Sequence, residues 1–228
     1  MTRLGLFVGV SLLTFPLFAA KEDVNQRLEA AADVFSSIMA TPDKGIPQDL
    51  IQKAHCIVIV PGMKKGAFIV GAKYGKGFVV CRHKSDVGWS APAAIRVEGG
   101  SFGFQIGGSE TDVVMLVMDD RGAQKLLRSQ FTLGAEGSIA GGPVGRTASA
   151  ETDAQMRAEI LSWSRSRGVF AGVSLQGATL RQDLDDNQAL YGRRLETREI
   201  VDHHITKPAS SEHLLSLLNR YSRVEKSS

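Results

Sequence analysis

Seventeen of the chain's 24 glycines fall between Gly62 and Gly145. An interior glycine costs a helix roughly 1 kcal/mol relative to alanine, so this stretch cannot be built from long helices. It has to be strands, tight turns and close backbone approaches. The 228 residues are 43% hydrophobic, which excludes a disordered chain. The formal charge is only +3, and Arg3 supplies one unit of it, so the basic stripe that nucleic-acid binding requires is missing.

Residues 1–20 hold one charged side chain, Arg3, ahead of an apolar run that Pro16 interrupts. This is the shape of a secretory signal, with a retained anchor as the alternative, and Pro16 ends the run before the ~20 apolar residues that a spanning helix needs. The expected organisation is a signal peptide over 1–20 and a single domain over 21–228, exported to the periplasm or secreted. Cys56 and Cys81 both lie in apolar runs. They read first as two buried small hydrophobes, with a disulfide as the alternative in an exported protein.

From Lys21 to Ala40 the apolar positions Val24, Leu28, Ala31, Phe35 and Ile38 mark one face of an amphipathic helix. A short second helix is expected at Gln48–Lys53, after Pro47. The pattern then changes to β-branched runs. Six strands are predicted between His55 and Met118, with turns at Pro61-Gly62 and Tyr74-Gly75. Asp119-Asp120 caps a helix over Arg121–Gln130. Strands follow at Phe131–Ala140, Met156–Arg165 and Val169–Leu180. Helices open at Asp183 and Ser211, and Arg193–Pro208 reads as an extended connector. The fold class is α+β, with a curved, barrel-like antiparallel sheet, an N-terminal amphipathic helix and C-terminal helices.

The catalytic and cofactor motifs fail one by one. Gly172 to Gly177 has one residue too many for a nucleophile elbow around Ser174 and sits in a strand pattern. Gly141 to Arg146 does not match a dinucleotide fingerprint. Asp183, Asp185 and Asn187 begin like a calcium loop, but Gln188 and Arg194 stand where glycine and glutamate are required, so these acids read as helix-start residues. His203 and His204 are adjacent and diverge. No catalytic residue, metal site or cofactor is assigned, and the protein is expected not to be an enzyme. A cluster of cations remains in the hairpin region: Lys64, Lys65, Lys73, Lys76, Arg82 and Lys84. Gathered at turns beside apolar residues, they suit anionic lipid head groups at about 1 kcal/mol each. Backbone amides near Gly141–Gly145 with Arg146 form a second candidate anion site.

Several motifs occur in one order: Trp89-Ser90-Ala91-Pro92, Gly103-Phe104-Gln105-Ile106-Gly107, Phe131-Thr132-Leu133-Gly134, Gly142-Pro143-Val144-Gly145-Arg146, the run Ser164 to Gly177, and Asn187 with Tyr191-Gly192. In these the chain resembles the SYLF-domain family from about Lys21 to Tyr221. The resemblance implies a non-enzymatic lipid-binding domain, with phosphoinositide binding in eukaryotic members and actin association in yeast ones. The expected partner is a phospholipid membrane surface contacted through Lys64, Lys65, Lys73, Lys76, Arg82 and Arg146. An envelope protein bound by an actin-binding-like module is the alternative, and the oligomeric state is left open. Residues 21–40 carry two basic side chains against four acidic ones, so this helix is expected to pack on the sheet rather than lie on an anionic membrane.

Overall fold

The computed structural model describes residues 15–41, 45–67, 70–83, 88–102, 107–142, 158–166, 169–170, 175–203 and 205–223. Helix α1 runs Phe15–Met39, starting six residues earlier than its apolar period predicts, and α2 is Gln48–Lys53 as expected. Four long strands follow: β1 Cys56–Ala67, β2 Val70–Cys81, β3 Ala93–Phe102 and β4 Gly107–Val117. Next come α3 Asp120–Leu126, β5 Gln130–Thr132, β6 Ile139–Gly141, β7 Ile160–Ser166, β8 Val169–Phe170 and β9 Thr179–Gln182. Three helices close the chain: α4 Leu184–Tyr191, α5 Thr197–Asp202 and, after a 3-10 turn, α6 Glu212–Tyr221.

The strands form one sheet in the order β5-β9-β3-β2-β1-β4-β7-β6, with β8 paired to β7 outside that path. It curls into a half-barrel, as the glycine density predicts. All pairings are antiparallel except that of β6 with β7. Alternation along each strand separates two cores. Ile57, Ile59, Phe78 and Val80 pack beneath α1, α4 and α6, whereas Val58, Val60, Val79 and Met115 fill the opposite face.

The α1 period is explained by this packing. Val24, Leu28, Ala31, Phe35 and Ile38 are all fully buried, so the helix is part of the core. Each large side chain contributes roughly 1.5–3 kcal/mol of burial. The expectation that α1 packs on the sheet holds.

The six short strands expected between His55 and Met118 are four long ones, and the two predicted turns are not turns. At Pro61-Gly62 the ladder register shifts between Ile59 and Lys64, a β-bulge within β1. Gly62 has φ +55°, which only glycine adopts without strain there. Tyr74-Gly75 lies inside β2, paired with Lys64 on one side and with Glu98 and Val97 on the other. Glycine occupies positions 75 and 77 because β1 passes too close for a side chain. A Cβ on Gly77 would stand 2.1 Å from the Ile59 carbonyl oxygen, and one on Gly75 would stand 2.7 Å from Val60 Cγ1. The strand predicted at Phe131–Ala140 is two three-residue strands, β5 and β6, with a turn between them. The connector Arg193–Pro208 contains α5, whose start is secured by the Glu196 N–H donating to Glu199 Oε2 at 2.8 Å. Cys56 and Cys81 face each other across β1 and β2 and are joined by a disulfide, so the first reading of them as two unlinked hydrophobes is corrected.

Asn187 is fully buried and joins three segments, accepting from Ala94 N–H at 2.7 Å and donating to the Leu195 carbonyl at 3.0 Å. One helical turn later, the Tyr191 hydroxyl donates to the Pro92 carbonyl at 2.5 Å, and burial raises the pKa of this phenol. Tyr191→Phe is expected to cost about 1–2 kcal/mol, because the buried Pro92 carbonyl loses its donor while the packing is kept. Equilibrium urea denaturation checks this.

Candidate functional site

Helix α1 covers only half of the sheet. On its side of the sheet Ile57, Ile59, Phe78 and Val80 are buried, but past the bulge Lys64, Gly66, Ala72 and Tyr74 are exposed. A cleft of about 1560 Å³ opens between this uncovered half and the polar side of α1. Asp23, Gln26 and Asp33 line the helix wall, and Lys64, Tyr74 and Glu110 line the sheet wall.

The six cations predicted to act together are split by the strand geometry. Lys64 lines the cleft and is exposed. Lys65 is its chain neighbour and so projects from the other face, directly across from Lys73 in the β1–β2 register. Lys73 is only 6% exposed, and burial together with the charge of Lys65 lowers its pKa.

Lys76 and Arg82 are engaged in holding the fold. Lys76 Nζ lies 2.9 Å from Asp183 and 3.0 Å from Asp186, and Arg27 of α1 reaches the same Asp186 at 2.5 Å. Burial opposes the charge of Lys76, yet the two carboxylates hold its pKa above the ordinary lysine value. Burial would likewise raise the pKa of Asp183, but Lys76 and the Asp186 N–H hold it below the usual carboxylate range. Arg82 donates to the Ile51 and Ala54 carbonyls at 3.0 Å each, finishing the exposed end of α2. Its guanidinium also stacks 4.4 Å from the centre of the Trp89 ring. Lys84, Arg146, His204 and Ser174 lie outside the described residues.

Several residues of the cleft escaped the sequence reading. Arg27 and Asp186 are 159 positions apart, so only the packing of α1 on α4 brings them together. Asp186 did carry a local signal, as an acid in the first turn of a helix. Asp112 accepts from the Gly62 N–H at 3.0 Å and from Arg165 Nη2 at 3.2 Å, clasping the bulge to β7. The reading of Asp183 and Asp185 as helix-start residues holds: Asp183 caps α4 and Asp185, in its first turn, pairs with Arg194 at the surface, while Asn187 is buried.

Residues 98–221 match the family model described as Ysc84, Las17-binding protein actin regulator. The chain belongs to the Ysc84/SYLF family. Human SH3 domain-containing YSC84-like protein 1 is 35% identical over 181 residues, which is 79% of this chain and 52% of that one. The rat protein of the same name is 34% identical over the same share of this chain. Protein YSC84 of Saccharomyces cerevisiae is 31% identical over 181 residues, covering 77% of this chain and 38% of its own length. The chain therefore spans about half the length of its vertebrate relatives. Among the described residues, several of the resemblance motifs serve as structural joints. Trp89 is fully buried and donates to Ser222, Ser90 accepts from the Cys81 N–H, and Asn187 and Tyr191 tie α4 to the sheet.

Proposed function

We propose that this chain is a non-catalytic binding module that meets phospholipid head groups with the uncovered end of the β1–β2 pair. The observation that carries this reading is a concentration of lysine and aromatic side chains there. Lys64 pairs across the ladder with Tyr74, which at 46% exposure is the most exposed large hydrophobic side chain among the described residues, and Lys65 follows Lys64 on β1. Lys73 drops out of the contact set because it is buried, and Lys76 and Arg82 because their charges are committed inside the fold. The remaining attraction is local, since the chain as a whole carries only +3. The cross-strand disulfide supports the associated proposal of an exported protein, because such bonds persist in oxidising compartments.

Co-sedimentation with phosphatidylglycerol-containing vesicles tests the reading. The Lys64→Gln/Lys65→Gln double variant is expected to bind roughly tenfold or more weakly, at about 1 kcal/mol per cation, and wild-type binding is expected to weaken with salt. A wild-type protein that stays in the supernatant with these vesicles overturns it.

The description of the matched family as a Las17-binding actin regulator favours a second reading, in which the cleft takes a protein partner. Sedimentation with filamentous actin in place of vesicles separates the two readings.

A further inference from the structure

Three side chains of different chemistry stand in one row on the exposed face of the cleft. Glu110 on β4 pairs in register with Lys64 on β1, and Lys64 pairs with Tyr74 on β2. Adjacent strands lie about 4.8 Å apart, so the backbone positions of a glutamate and a tyrosine flank that of one lysine. Among the described residues neither Glu110 nor Lys64 forms an ion pair, although they are ladder partners. Glu110 is instead folded over the bulge. Its Oε1 lies 2.5 Å from where a Cβ of Gly62 would stand, space that exists only because residue 62 is glycine.

The other charges facing the row are already compensated or stand across the cleft. Asp112 is bound to Arg165, Lys76 to Asp183 and Asp186, and Arg27 to Asp23 and Asp186. Asp33 lines the opposite wall, on α1. The row thus offers one positive and one negative group on neighbouring strands, with an exposed tyrosine on the third. A purely anionic ligand would satisfy Lys64 and be repelled by Glu110. A zwitterion carrying a phosphate and an ammonium group satisfies both.

We propose that the row Glu110, Lys64 and Tyr74 is a head-group site selective for phosphoethanolamine, as displayed by phosphatidylethanolamine in a bilayer. Lys64 takes the phosphate. Glu110 accepts hydrogen bonds from the primary ammonium, and the Tyr74 ring, on the far side of Lys64, packs against the apolar part of the lipid. A choline head group keeps the charge but has no N–H to donate to Glu110, and one tyrosine is not an aromatic cage, so phosphatidylcholine is the weaker ligand. The inference rests on the lipid reading above and narrows it.

The experiment compares vesicles of phosphatidylcholine alone, phosphatidylcholine with phosphatidylethanolamine, and phosphatidylcholine with phosphatidylglycerol. The ethanolamine mixture is expected to bind better than phosphatidylcholine alone. Glu110→Gln is expected to weaken binding to the ethanolamine mixture roughly fivefold, the worth of one charge-assisted hydrogen bond at a surface, while leaving glycerol-mixture binding unchanged or tighter. Glu212→Gln, at an exposed position on α6, is the control for loss of a negative charge elsewhere. Excess soluble phosphoethanolamine should displace wild-type protein from the ethanolamine mixture.

No preference for ethanolamine over choline, a Glu110→Gln loss no greater than that of Glu212→Gln, or binding that ignores the soluble competitor each overturns the proposal. If the glycerol mixture still binds in such a case, the general lipid reading stands and only the selectivity falls. If no vesicle binds, both fall. Thermal melting of each variant separates a lost contact from a lost fold.

Discussion

Lys76→Met is expected to destabilise the protein by about 2–3 kcal/mol, less than the cost of breaking a fully buried ion pair because the Lys76 side chain is partly exposed while that of Asp183 is buried. Methionine keeps the apolar stem to within one atom and removes the charge. Asp186 retains Arg27, but the Asp183 side chain, 3% exposed, is left without its cation. The sign of the pH dependence identifies the cause. The folded-state pKa of Asp183 lies below its ordinary value of 3.8, so its stabilising contribution is present above that value and is lost as pH falls through the folded pKa. The pKa of Lys76 lies above its ordinary 10.5, so its contribution is complete below that value and is lost as pH rises through the folded one. In the variant, an unpaired buried Asp183 favours protonation. The gap between wild type and variant should therefore narrow under acid conditions, and Lys76→Met/Asp183→Asn should recover part of the loss. Urea midpoints measured from neutral to acid pH check this, and a gap that stays constant with pH would reject the ion-pair explanation.

The same lysine shows where reading the residues alone stops. The α1 helix was legible because its apolar period is strong and all five stripe residues are buried. The glycines were legible as a curved sheet but not as a register. Gly75 and Gly77 look like turn residues in isolation, and what selects them is the approach of Ile59 and Val60 from the neighbouring strand. Treating Tyr74-Gly75 as a turn placed Lys73 and Lys76 together at a tip, whereas in β2 Lys73 projects opposite to Tyr74 and Lys76. The bulge at Gly62 controls which face each residue of outer β1 occupies, and its partner Asp112 is fifty positions away. Helix α5 was missed because its apolar signal is short: Ile200 and Val201 sit in a segment that is otherwise polar or charged. Composition pointed to lysine beside aromatic, and Lys64 does pair with the exposed Tyr74. The long-range pairings decided which cations are available to a ligand.

Removal of the Cys56–Cys81 bridge is expected to cost about 3 kcal/mol. The bond closes a loop with a sequence separation of 25, and the chain-entropy estimate for a loop of that size is of this order. Cys56→Ala/Cys81→Ala is the appropriate variant, because both positions are buried and serine would bring unpartnered hydroxyls into the core. Its melting temperature should be lower than that of the oxidised wild type and insensitive to reductant, whereas the wild type should fall toward it on reduction. Binding should respond differently from stability. The bridge sits at the closed-packed end of β1 and β2, and the Lys64–Tyr74 pairing lies past the bulge, held by its own ladder and by the Asp112 clasp. Below the melting transition, vesicle binding by the variant should match that of wild type. A variant that melts normally yet loses vesicle binding would mean that the bridge sets the register of the outer half of the hairpin, and the head-group row would then depend on the redox state of its surroundings.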